Sequence, residues 1–287
     1  MKKYYSVVSL LLAFLMVLPS VPVFATVEDE EHAVLVKDGL VAHYDGVFNT
    51  EDGHLADTAV WADLAGENDI PLTLTEKTYF TEDALHLSGA QFDFPEALLD
   101  VVNANEFTFE LKVGTIAMTG SSYTTMVNSQ NDNFALFLRS DGDYVEFKNG
   151  GNARPQVAGG KDYVEKSTLS LVFSVTDGFC AMYIDGYEIG RVAIGSTINA
   201  TAPFFFGHTE SSKAHTADYE GMRFYNRALS AKEVAQNAKA DGNYDPTVIV
   251  DRPFTKTEQS APSVIGDLAF VAKIDSAEKF AALKESE

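Results

Sequence analysis

An all-β fold, two antiparallel sheets packed as a jelly-roll sandwich with one short C-terminal helix, is predicted from three observations. Short apolar runs recur between turn signals over residues 39–226. Three Asp-Gly pairs, Asp141-Gly142, Asp177-Gly178 and Asp185-Gly186, fall between such runs. Asp-Gly supplies the positive backbone angles that tight hairpins need, so the series marks consecutive antiparallel strands. Third, helical periodicity is nearly absent until Ser230.

The strands follow in order. "EFTFELKVG", residues 106–114, sets Phe107, Phe109, Leu111 and Val113 against Thr108, Glu110 and Lys112. That period of two predicts a half-buried strand, with the polar set in solvent. "FALFLRSDGDYVEFKNGG" and "TLSLVFSVTDGFCAMYIDGYEIGRV" read as hairpins, and "APFFFGH" and "GMRFYN" as two late strands. In the last, Met222 and Phe224 are expected in the core, with Arg223 and Tyr225 outward. The helix begins at Ser230, where Glu233 three residues on completes a capping box. Leu229 precedes the cap as a staple toward Val234, and Asp241-Gly242-Asn243 ends the helix.

The chain has 287 residues with 42 acidic and 21 basic side chains, a formal charge of −21. Lys2 and Lys3, an apolar run over 7–18, Pro19 and the small-residue site Val23-Phe24-Ala25 have the three-part form of a secretory signal, cleaved after Ala25. Its apolar run is shorter than a bilayer span. Removing 25 residues leaves 262 and takes both lysines, moving the charge from −21 to −23. Such a field argues against nucleic acid and anionic membranes, and leaves neutral glycans, cations and basic partners. Cys180 is the one cysteine, so the exported fold rests on core burial without an internal disulfide. The expected organisation is a signal peptide (1–25), an acidic leader (26–38), the sandwich (39–243), a Pro/Thr/Ser-rich linker (244–266), and a truncated second domain or C-terminal extension (267–287). The oligomeric state is not set by the sequence.

Two segments carry a family resemblance. "GLVAHYDGVFNTEDGHLADTAVWADLAGENDIPLTL", residues 39–74, has the Leu-x-x-x-Tyr-Asp strand and Trp-x-Asp-Leu-x-Gly turn with which concanavalin A-like, laminin-G-type jelly-roll domains of bacterial surface proteins open. "GMRFYNRALSAKEVAQN", residues 221–237, resembles that family's closing Val-Arg-Ile-Tyr-Asn-Arg-Ala-Leu-Ser-x-x-Glu-Ile segment. The resemblance implies the sandwich fold and leaves function open, because this scaffold serves binding modules, adhesion domains and glucanases.

The residues weigh against hydrolysis. A retaining glucanase needs paired carboxylates about 5 Å apart, and the Glu-x-Asp-x-x-Glu of such enzymes does not occur here. Glu110 stands alone on its strand and reads as part of a solvated face. The six histidines lack metal spacing, and Cys180 beside Phe179 reads as a buried, inert thiol.

Calcium is the cofactor that the resemblance makes plausible. The family's Asp-Glu before the closing strand aligns with Glu220 and Gly221, one carboxylate changed and one missing. Asp218 could substitute, with Asp45, Asp63 and Asn68 adding oxygens from the opening segment. The competing reading is that these residues cap loops and turns. For sugar, the candidates are Tyr79, Tyr123, Asn128, Asn131 and Asn133, while Trp61 reads as a packing anchor. The reading is a secreted or cell-surface, Gram-positive bacterial, non-catalytic module that binds carbohydrate or another extracellular polymer. The alternatives are an N-terminal accessory domain of a larger secreted hydrolase and a protein-protein adhesion module.

Overall fold

The computed structural model describes residues 33–243, apart from 67, 119–122 and 140–143. The signal segment, residues 26–32 of the leader, the linker, the 267–287 segment and the Asp141-Gly142 turn lie outside the described residues. The chain runs β1 (Leu40–Asp45), β2 (Val60–Trp61), β3 (Leu72–Thr73), β4 (Thr78–Phe80), β5 (Leu85–Ser88), β6 (Gln91–Asp93), α1 (Glu96–Asn103), β7 (Glu106–Met118), β8 (Tyr123–Ser129), β9 (Phe134–Arg139) and β10 (Tyr144–Asn149). It continues through β11 (Gln156–Ala158), α2 (Gly160–Val164), β12 (Ser167–Ser174), β13 (Phe179–Ile184), β14 (Tyr187–Ala193), β15 (Phe204–Gly207), β16 (His215–Tyr225) and α3 (Ala231–Ala240).

An eight-stranded antiparallel sheet, ordered β14-β13-β12-β7-β16-β5-β4 with β1 also on β16, packs against a six-stranded sheet ordered β11-β10-β9-β8-β15-β6. One edge of β16 pairs with β7. Its other edge is shared in series, by β5 along residues 216–219 and by β1 along 221–225. The apolar phase of each strand meets in one core, where Phe94, Phe109, Phe134, Phe204 and Phe224 pack ring to ring at 4.7–6.1 Å. Trp61 anchors the opening segment as expected. It is fully buried between Tyr44 and Phe80, and its indole N–H donates to the Asp45 carbonyl at 2.8 Å.

Local rules hold where they were strongest. Between β13 and β14, Asp185 (φ 50°) and Gly186 (φ 82°) form the whole turn, both positive as a tight hairpin requires. Between β12 and β13 the connection is longer, residues 175–178, with Gly178 at φ 74°. The Ser230–Glu233 capping box is present, and Leu229 and Val234 share a buried cluster. Two helices were not anticipated. In α1, Leu98, Val101 and Val102 are buried at helical spacing behind Pro95, a short stretch masked by its strand neighbours; α2 spans five residues only.

The polar faces of β7 and β16 depart from expectation. Thr108 and Glu110 are buried rather than solvated, and so are Arg223 and Tyr225. They do alternate away from the main core, but α3 and residues 33–38 lie over that side of the sheet. Val36, Leu40, Val172, Tyr225, Leu229 and Val234 form a second apolar cluster there. Asn237 fastens the layers, accepting from the Val36 N–H at 2.8 Å and donating to Glu110 at 2.9 Å. Glu110 also accepts from Arg223 and Ser170. Burial pushes its carboxyl up, and the charge of nearby Asp241 adds to that. Burial alone would raise Asp241 too, but the Arg223 charge and hydrogen bonds outweigh it and hold Asp241 below the usual range.

Candidate functional site

Where α3 does not reach, the outer face of the eight-stranded sheet is left open among the described residues. Register aligns Tyr79 on β4 with His86 on β5, and His86 with Asp218 on β16. Their neighbours Leu85, Leu87, Ala217 and Tyr219 belong to the core, so this row points outward. Tyr79 is 54% exposed, and its ring lies 4.7 Å from the His86 ring at an interplanar angle of 30°. His86 Nδ1 is 2.7 Å from Asp218 Oδ1, and the Thr115 hydroxyl donates to Asp218 Oδ2. One step along the strands, Lys112 Nζ meets Glu220 Oε2 at 3.1 Å. The side chains of His86, Asp218, Lys112 and Glu220 each keep a fifth to a third of their area in solvent. The chemistry is that of an accessible aromatic face held rigid beside hydrogen-bonding groups. His86, Thr115 and Lys112 were missed by sequence reasoning; their partners lie 132, 103 and 108 positions away, and only the β5-β16-β7 pairing joins them.

The other sugar candidates lie elsewhere. Tyr123 begins β8 on the outer face of the six-stranded sheet, 5.7 Å from Phe137. Asn128 is buried, donating to Asp132 at 2.7 Å and accepting from the Ser129 N–H at 2.9 Å. Asn131 and Asn133 both donate to the Asn199 carbonyl, at 2.8 and 3.0 Å, and Asn131 Oδ1 accepts from Ser129 and Thr201. Asn131 and Asn133 tie the β8–β9 turn to residues 199–201, while Asn128 braces the turn from within. The structure therefore joins Tyr79 with Asp218 and Glu220, but not with Tyr123 or the asparagines.

The five calcium candidates are similarly divided. Asp63 is buried; its Oδ1 accepts from the His43 and Ala65 N–H groups and its Oδ2 from Ile70. Asp45 caps its own turn through Val47 and Phe48, and Asn68 donates to the Val41 carbonyl. Asp218 and Glu220 face His86 and Lys112. A cation held by all five would displace these donors. Among the described residues no group of three or more His, Cys, Asp or Glu side chains is placed to hold a metal. Gly221, where the family motif carries a carboxylate, passes so close to β1 that a Cβ there would sit 3.2 Å from the Tyr44 carbonyl oxygen. Cys180 is buried, which pushes its thiol up to about 12.

Fold and surface together define an antiparallel two-sheet sandwich with an open aromatic and hydrogen-bonding face. The model of the concanavalin A-like lectin/glucanases superfamily matches residues 88–235, more than half of the chain, and the chain belongs to that superfamily. The closing segment falls mostly inside the match and the opening segment outside it. The superfamily spans lectins and glucanases, so membership alone does not decide between binding and hydrolysis. A comparison with curated proteins gives no match. Among solved structures, the chain is similar to a mutant of Trypanosoma rangeli sialidase displaying trans-sialidase activity (TM-score 0.54, 16% identity, 74% of this chain and 34% of that one). It is similar to Trypanosoma rangeli sialidase in complex with sialic acid (0.52, 17%, 71% and 33%) and to a mutant of HCR D/C VPI 5995 (0.50, 13%, 73% and 53%). The chain thus spans about a third of the sialidases and about half of the third structure. At these identities the likeness is one of fold. Among the described residues no helix is long and apolar enough to cross a membrane.

Proposed function

We propose that this chain is a secreted or cell-surface bacterial module that binds carbohydrate without cleaving it, through the open face around Tyr79. The observation that carries this reading is the exposed Tyr79 ring, stacked on His86, which is in turn held by Asp218. A sugar ring offers an apolar face to an aromatic side chain and hydroxyl groups to its neighbours, and this row has both partners. The non-catalytic part of the reading rests on the absence of a Glu-x-Asp-x-x-Glu pattern, and on Glu110, whose carboxylate is enclosed by Arg223, Ser170 and Asn237. Export rests on the signal-like first 25 residues.

A protein-protein adhesion role has one observation of its own. The 46–59 connection leaves Phe48 61%, Leu55 53% and Val47 42% exposed, an apolar surface suited to a protein partner. A glycan array probed with the full chain and with Tyr79→Ala separates the two. Carbohydrate binding through this face predicts array signals that weaken about tenfold in the variant, roughly 1.4 kcal/mol of stacking, with an unchanged melting temperature. A silent array, or a variant that binds as the parent does, overturns the reading.

A further inference from the structure

The apolar surface of the 46–59 connection is held in place by a dense set of hydrogen bonds. Asp45 Oδ1 accepts from the Val47 and Phe48 N–H groups, both at 2.8 Å, and fixes the first turn. Asn49, fully buried, grips Leu55 twice: its Oδ1 accepts from the Leu55 N–H at 2.8 Å, and its Nδ2 donates to the Leu55 carbonyl at 2.9 Å. Thr50 and Gly53 close a turn through paired backbone bonds at 3.0 and 3.2 Å. His54 Nδ1 lies 3.2 Å from the Val47 carbonyl oxygen, so residues 47–48 and 54–55 adjoin. Gly46 seats the loop against the β4–β5 turn, where a Cβ would lie 2.4 Å from the Asp83 carbonyl oxygen. A loop fastened in this way still turns Val47, Phe48 and Leu55 to solvent. Of the six large hydrophobic side chains exposed among the described residues, three stand here, and Val60 follows directly.

The charge around this surface has one sign. From Asp38 to Glu76 the sequence holds nine acidic side chains and no lysine or arginine. Glu51, Asp52 and Asp57 are exposed within the loop, and Glu82 and Asp83 in the adjoining turn; none has an ion-pair partner among the described residues. Lys112 is taken by Glu220, and Lys77 precedes β4 at the end away from that turn.

We infer that this loop docks a basic segment of another protein, one that carries apolar side chains among its lysines and arginines. The apolar trio supplies a contact from which water is excluded, and the surrounding carboxylates select positive charge at its rim. Because the backbone is already ordered, binding loses little conformational freedom. The chain's own ends have the wrong charge for this surface: residues 26–32 hold four acidic and no basic side chains, and residues 244–287 eight acidic against five basic. A second copy brings the same acidic loop, and anionic lipid is repelled on the same ground. The inference extends the adhesion observation above by naming the partner's chemistry. The loop shares no residue with the Tyr79 row, so either can fail without the other.

The test is isothermal titration of the full chain with a synthetic amphipathic peptide of leucine and lysine, its glutamate-for-lysine counterpart, a scrambled version with its leucines dispersed, and polylysine. The amphipathic basic peptide is expected to bind about tenfold more tightly than the scrambled version or polylysine, and to weaken as salt is raised. The glutamate counterpart should not bind. Phe48→Ser and Leu55→Ser should each weaken binding about fivefold at an unchanged melting temperature. Replacing Glu51→Gln, Asp52→Asn and Asp57→Asn together should lower the affinity and flatten its salt dependence. Tyr79→Ala should bind the peptide as the parent does. No binding of the amphipathic peptide, equal affinity for polylysine, or full affinity in both apolar variants overturns the proposal. Binding of phosphatidylcholine vesicles through Phe48, without binding of the peptide, overturns the protein assignment in favour of lipid.

Discussion

Arg223 and Glu110 face each other on adjacent strands, Nε to Oε2 at 2.7 Å, with 4% and 1% of their side chains exposed. The guanidinium also reaches Asp241 just past α3, 2.8 Å from Nη1 and 2.5 Å from Nη2. One cation between two carboxylates fastens the closing helix to the outside of the sheet.

Arg223→Met should therefore be costly, because it leaves two carboxylates buried without their cation. Urea denaturation is expected to show a loss of about 3–5 kcal/mol. Adding Glu110→Gln to that variant should recover part of it. A single variant within 1 kcal/mol of the parent contradicts the network's role.

Phe224→Ala should cost about 3–5 kcal/mol by the same measurement. The ring is fully buried against Phe94 and Phe109, at 5.6 and 4.9 Å, where β16 meets the main core. A loss well under 1 kcal/mol would contradict that placement.

Ser230→Ala should lower stability by about 1 kcal/mol through loss of the helix cap. Its partner Glu233 has its carboxyl held down to about 2, first by the Arg227 hydrogen bonds and further by Ser230. A depressed folded value means that this contribution is complete above the unfolded carboxylate value and disappears as the pH falls toward 2. The difference between Ser230→Ala and parent should accordingly narrow in acid, as chemical denaturation at pH 7 and pH 3 will read.

Two histidines, the buried His215 and the half-buried His43, set a second pH window. Burial lowers His43 and His215 to about 4, with the Arg223 charge adding at His43 and the His208 charge at His215. The unfolded chain protonates them near 6.5, so between 6.5 and 4 it binds more protons than the folded chain, and stability falls with pH. By pH 5 each histidine should account for about 2 kcal/mol, at 1.36 kcal/mol per pH unit. Glu110, raised by burial, works in the opposite sense and offsets part of this. His215→Phe should flatten the pH 5–7 slope of the denaturation midpoint; an unchanged slope would assign the acid sensitivity elsewhere.

Local chemistry made much of this protein legible. Asp185-Gly186 can close a two-residue turn because of backbone angles that any context would demand of it. Ser230 and Glu233 cap each other across three residues, and Met222 and Phe224 follow the strand period into the core. The same period misled at Glu110, Arg223 and Tyr225. Alternation says that they leave the core, but not that another layer waits on that side. Tyr79 was recognised as a candidate aromatic, whereas its support by His86 and Asp218 was not, because that support is a cross-strand contact between segments far apart in the chain.

By itself, then, the sequence determined the strand-rich sandwich, its closing helix and its superfamily seam, all written in spacings of two to four residues. Only the tertiary structure decided which polar residues are buried and which remain open. Those outcomes depend on what α3 covers and on which strands β16 pairs with, and both are settled by contacts across more than a hundred residues.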